Sequence, residues 1–101
     1  MPDRSASSDP GLLLLISLSG GPKHGHAMLL DVASFAGVRL GPGTLYGALT
    51  RLEEDGLVEP LPLDGRRRPY RLTDAGLTAL RRRLTGLNAA VSIGLARVGN
   101  R

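Results

Sequence analysis

The stretch Gly43-Thr44-Leu45-Tyr46-Gly47-Ala48-Leu49-Thr50-Arg51-Leu52-Glu53-Glu54-Asp55-Gly56-Leu57-Val58 decides the fold. Leu45, Ala48, Leu49 and Leu52 recur at i, i+3, i+4 and i+7, the spacing of one apolar helical face, so a helix is expected from Thr44 to about Asp55, stopped by Gly56. The opposite face carries Gly47, Thr50, Arg51 and Glu54, with Thr44 and Tyr46 on its flanks. Leu57-Val58-Glu59-Pro60-Leu61 then reads as a short edge strand, where prolines are tolerated because not every N–H must pair. Asp64-Gly65 signals a hairpin turn, and residues 66–72 form the returning strand.

Upstream, Asp9 and Pro10 offer an N-cap and a first-turn proline for a helix to about Leu18, ended by Gly20-Gly21-Pro22. A second helix is expected from about His24 to Phe35, with Ala27, Leu29, Leu30 and Ala33 turned inward and Gly37 as its stop. Residues 1–8 are polar and small, and read as a disordered lead-in. Downstream, Thr73 caps a last helix whose apolar positions are Leu77, Leu80, Leu84, Leu87, Val91, Leu95 and Val98. Steps of three and four make this close to a heptad seam, long enough to need a partner. The division expected is therefore a lead-in over 1–8, a three-helix and hairpin domain over 9–73 and a dimerisation helix over 74–101. Gly86 and Gly94 each cost about 1 kcal/mol in a helix interior, so its far end is expected to fray, bend or pack close to a partner.

The order helix, helix, helix, hairpin, long helix is that of a winged helix-turn-helix: a mainly α fold with a small β-hairpin wing and a long C-terminal dimerisation helix. In that arrangement the third helix enters the major groove and the wing follows the backbone. Small hydroxyls at Thr44 and Thr50 can reach bases or phosphates, Tyr46 can donate to a phosphate, and Gly47 lets the backbone approach closely. Arg66, Arg67 and Arg68 crown the wing.

Charge agrees. The 101 residues carry 13 Lys and Arg against 9 Asp and Glu, a net +4. Residues 1–63 hold four basic and seven acidic side chains, whereas 64–101 hold nine and two, so the basicity is local and suggests a surface that meets a polyanion, either nucleic acid or an anionic membrane. Merely solvated turns and helix faces are the competing reading, weightier for Arg81-Arg82-Arg83 than for the wing tip.

Several classes drop out. There is no Cys, which removes disulfides, thiolate metal sites and cysteine nucleophiles and suits a reducing cytoplasm. The run from Leu12 to Leu18 is too short to span a membrane, and Asp3 and Asp9 before it are wrong for a signal peptide. No phosphate loop, carboxylate pair or nucleophile-base set is present, so an enzyme is not expected, nor a cofactor. His24 and His26 straddle a glycine and would diverge on a helix, which argues against a shared metal and for a phosphate contact or a plain helix start. A winged helix used solely for protein interaction is the remaining rival, because the fold does not dictate its partner.

Four stretches together resemble the PadR-type winged-helix transcriptional regulators: Leu14-Leu15 through Gly21-Pro22-Lys23-His24-Gly25; Gly43 to Leu49; Arg51 to Val58; and Arg67-Arg68-Pro69-Tyr70-Arg71-Leu72-Thr73-Asp74-Ala75-Gly76. They cover most of residues 12–80 in the family's order. The resemblance implies a cytoplasmic homodimer that represses transcription from an inverted-repeat operator on double-stranded DNA, paired through its last helix. It also implies a small hydrophobic or aromatic effector, as many members have. Where the family usually carries an aromatic, this chain has His26, so the phosphate contact there passes to imidazole. The expected DNA-contacting set is thus Lys23, His24, His26, Thr44, Tyr46, Gly47, Thr50, Arg51, Arg66, Arg67 and Arg68, and the dimerisation set Leu77, Leu80, Leu84, Leu87, Val91 and Leu95.

Overall fold

The structure, a computed structural model, describes residues 9–100; the lead-in expected over 1–8 lies outside the described residues. Helix α1 (Pro10–Ser19) starts as the sequence predicts, with the Asp9 carboxylate accepting from Leu12 N at 3.2 Å and Pro10 in the first turn. Leu12 to Leu15 and Leu18 are all buried, so α1 is the central rod of the core rather than an amphipathic surface helix. Ser17, its one buried polar side chain, donates to Asp31 Oδ2 at 2.7 Å and so crosses to the next helix without an unpaired hydroxyl.

Strand β1 (Lys23–His24) leads directly into α2 (Gly25–Ala36), which ends at Gly37 with φ +67°. The inward face of α2 differs from expectation. Met28 and Val32 are fully buried, whereas Leu30, expected inside, is 61% exposed. Almost every position from Ala27 to Ala33 is apolar, so the wheel offered two faces and packing against α1 and α3 chose one.

Helix α3 (Pro42–Glu54) begins two residues earlier than expected, with Pro42 at its first position and Gly41 as cap. Leu45, Ala48, Leu49 and Leu52 are buried, as their spacing demands. The helix closes in a Schellman motif: Gly56 has φ +73°, Gly56 N donates to Glu53 O at 3.0 Å and Leu57 N to Leu52 O at 2.9 Å.

The wing holds β2 (Val58–Pro60) and β3 (Pro69–Leu72), both shorter than the strands read from sequence. Its tip is closed by paired bonds between Asp64 and Arg67, with Gly65 at φ +63° in the first central position, the φ signs of a type II′ turn. The sequence did not announce that β1 also joins, giving a three-stranded antiparallel sheet in the order β1-β3-β2. His24 pairs with Pro69 and Lys23 with Tyr70, which brings the start of α2 against the wing. A two-residue strand carries no alternation to read.

Helix α4 (Asp74–Gly99) is capped by Thr73 and runs unbroken through Gly86 and Gly94, so the expected fraying is not seen. Leu80, assigned from sequence to the pairing stripe, is instead 3% exposed and closes the domain's own core. From Arg81 to Asn100 every residue is exposed. The arm projects: 26 residues make about 39 Å of helix, in a molecule of 56 × 29 × 20 Å. Along it Leu84, Leu87, Val91 and Leu95 are between 37% and 68% exposed.

Candidate nucleic-acid interface

Three elements converge beside α3. The strand pairing of β1 with β3 sets the first turn of α2 next to the wing tip, and Tyr46 of α3 leans over that turn. The resulting recess, about 230 Å³, is lined by His24, Gly25, His26, Tyr46, Arg66, Arg67 and Arg68, with no carboxylate among them. Each cation alone is an ordinary surface arginine. Together, above a helix N-terminus whose first N–H groups lack helical acceptors, they form an anion-accepting surface.

The glycine at position 25 is a packing requirement the sequence reading missed. A Cβ there would lie 2.7 Å from the Tyr46 hydroxyl and 3.1 Å from Leu45 Cδ2, so any larger residue would push the Tyr46 ring away from α2. Tyr46 nevertheless remains 52% exposed. Beside it, Tyr70 of β3 is half-buried; burial pushes its hydroxyl pKa up, the Glu53 and Tyr46 charges push the same way, and Arg68 opposes them. Tyr70 thus stays a neutral donor.

His24 holds two contacts. Its Nδ1 lies 3.4 Å from Ala27 N as the cap of α2, and its Nε2 lies 3.2 Å from Arg67 Nη1. A neutral imidazole has one lone pair, so the ring serves the helix cap or the arginine, not both at once. Arg68 donates to Leu61 O at 2.8 Å, which ties it to the wing's own backbone, while Arg66 stands exposed at the tip.

Lys23 departs from expectation. Its ammonium donates to Ser17 O at 2.6 Å and Gly21 O at 3.3 Å and sits 4.0 Å from the Asp31 carboxylate, so it braces α1 and α2 and does not line the recess. Three other expected residues lie on the opposite flank of α3. Thr44, Gly47 and Arg51, with Asp9, Pro10, Gly11, Ala48 and Leu52, line a cleft of about 410 Å³ between α1 and α3. Thr50 is exposed, but its hydroxyl donates back to Tyr46 O at 2.8 Å.

Asp9 and Arg83 form a pair that the sequence did not suggest, 74 residues apart. Burial works to raise the Asp9 carboxyl, yet hydrogen bonds from Arg83 and Leu12 N and the Arg83 charge outweigh it, and the pKa falls below the ordinary aspartate value. Among the described residues no group of His, Cys, Asp and Glu could hold a metal, and no helix is long and apolar enough to cross a membrane.

The sequence model of the transcriptional regulator PadR-like family matches residues 12–82. A 37.1 kDa protein of transposon TN4556 from Streptomyces fradiae, itself uncharacterised, is 49% identical over 76 residues, covering 75% of this chain and 22% of that protein. The transcriptional regulator Rv3488 of Mycobacterium tuberculosis is 53% identical over 60 residues, covering 56% of this chain and 55% of its own. This chain therefore spans only part, from about a fifth to about half, of those two relatives. Among solved structures, a PadR family transcriptional regulator from Eggerthella lenta superposes with a TM-score of 0.68 at 30% identity, covering 87% of this chain and 81% of that one.

Proposed function

The chain belongs to the PadR-like family, one of transcriptional regulators rather than enzymes, and from that premise we propose that it binds duplex DNA sequence-specifically as a homodimer and represses transcription by occupying an inverted-repeat operator. The observation that carries this reading is the carboxylate-free recess in which Arg66, Arg67, Arg68, His24, His26 and Tyr46 surround the start of α2. A backbone phosphate is the ligand such a surface suits, and α3 beside it would then lie in the adjacent major groove. Thr44, Gly47, Thr50 and Arg51 are the side chains left to meet base edges. The exposed stripe Leu84, Leu87, Val91 and Leu95, with Leu77 at its base, is the surface through which two copies would pair, Leu80 being taken up by the core. Action on DNA would place the protein in the cytoplasm. A small hydrophobic or aromatic effector has the cleft between α1 and α3 as its candidate seat, since Pro10, Ala48 and Leu52 give it an apolar floor.

Titration of duplex affinity against salt tests the reading. Log K should fall linearly with log salt, and Arg67→Ala should weaken binding to all sequences while reducing the slope by about 1 for each copy bound. A flat salt plot on every duplex, its own promoter included, would leave the protein-interaction module as the surviving alternative. A reporter that rises when the protein binds would overturn repression.

A further inference from the structure

Thr73 stands where the wing, the recognition helix and the pairing helix meet. Strand β3 ends at Leu72 and α4 begins at Asp74, so no loop separates wing from arm. The Thr73 hydroxyl donates to Gly56 O at 2.6 Å and accepts from Gly76 N at 3.0 Å. Its backbone N–H donates to Leu57 O at 3.0 Å. Gly56 and Leu57 are the Schellman turn that terminates α3, so a single residue bonds the last turn of one helix and the first turn of the other. Gly76 packs so closely on the Leu57 carbonyl that a Cβ would run into its oxygen. A second tether follows at Arg83, which pairs with Asp9 at the start of α1, and every residue of α4 beyond it is exposed.

A lever of this kind magnifies small angles. With Leu80 in the core and Arg83 on Asp9 as the fulcrum, the free arm from Arg83 to Leu95 is about 18 Å long, so a tilt of ~12° permitted by a loosened Thr73 end would shift the far end of the pairing stripe by ~4 Å, more than the 3.4 Å between successive base pairs. We propose that Thr73 is a positioning residue: its hydroxyl holds the angle between recognition helix and pairing helix, and so dictates which half-site spacing the dimer accepts. This rests on the dimeric DNA-binding reading above. Thr73 touches no DNA and acts through α4.

Half-sites selected from randomised duplexes by the wild-type protein would be rebuilt into operators whose spacing changes one base pair at a time, alongside a single half-site. Wild type and Thr73→Ser, which keeps the hydroxyl, should favour one spacing by about tenfold or more over its neighbours. Thr73→Val, shown by sedimentation to remain dimeric, should bind the single half-site within about twofold of wild type yet discriminate spacings by less than about threefold. A purely structural contribution would lower affinity for every duplex alike. A Thr73→Val dimer with the wild-type spacing profile would overturn the proposal. If Thr73→Val does not fold, Arg83→Gln loosens the second tether without touching the core and should broaden the profile in the same way; an unchanged profile there counts equally against the joint. Wild type that binds paired half-sites no better than a single one would instead sink the dimeric reading, and the proposal with it.

Discussion

Gly76→Ala and Gly86→Ala add the same methyl group to the same helix, and they should move stability in opposite directions. At position 76 the new Cβ runs into the Leu57 carbonyl oxygen and lies 2.9 Å from Leu72 Cδ1. The oxygen cannot swing aside, because it accepts the Thr73 N–H at 3.0 Å. The first turn of α4 must therefore lift, and overpacking of this kind costs about 1–3 kcal/mol. Loosening the Thr73 bonds to Leu57 and Gly56 adds about 1 kcal/mol for each one lost. Better helix propensity returns up to about 1 kcal/mol, leaving a net loss of roughly 2–4 kcal/mol if both bonds are lost. At position 86 nothing lies within 4 Å of the new methyl, so the propensity gain stands alone and the helix should gain up to about 1 kcal/mol. Thermal and urea unfolding followed by far-ultraviolet circular dichroism, at one fixed protein concentration, reads both. The melting temperature should fall by roughly 10–20 °C for Gly76→Ala and rise by a few degrees for Gly86→Ala. Gly76→Ala within about 0.5 kcal/mol of wild type would refute the close docking of α4 on the α3 turn, and with it the rigid corner at Thr73.

Two further outcomes are expected. Leu84→Asp, at a position 41% exposed in the single chain, should leave the domain folded but split the dimer in sedimentation, since a carboxylate buried at the pairing face costs several kcal/mol; Leu80→Asp, at 3% exposure, should unfold the domain instead, and a reversal of these two results would exchange their roles. The Asp9–Arg83 tether should fail in acid: a carboxyl held below its ordinary value of 3.8 stabilises the fold above that pH and loses its contribution as pH falls through the lower folded value, so wild type should lose stability below about pH 4 more steeply than Asp9→Asn, and parallel acid limbs would show that the pair contributes nothing.

Much of the architecture could be read from local signals. Asp9, Gly37, Gly56 and Thr73 punctuate the helices by capping chemistry that acts within a few residues, and the spacing of Leu45, Ala48, Leu49 and Leu52 committed α3 to one buried face. The wing tip was legible because Asp64-Gly65 demands a tight turn, although the turn centres one residue later than the sequence suggests. The candidate site was legible as residue types, Arg66 to Arg68 and Tyr46, and not as a place.

What gathers those residues is long-range. The pairing of Lys23 and His24 with Tyr70 and Pro69 builds the recess, and two residues are too short to show a strand period. Partner choice likewise escaped the one-dimensional pattern. Lys23 is spent on Ser17 and Gly21 carbonyls, Leu80 on the core and Leu30 on the surface, although residue type and spacing suited each to another role. Sequence by itself determined which segments become helices, where they stop and where positive charge accumulates, because propensity, capping and periodicity are local free energies. Only the tertiary structure decided which apolar face is buried, which cations line the recess and how α4 is angled to α3, because each depends on a neighbour supplied from elsewhere in the chain.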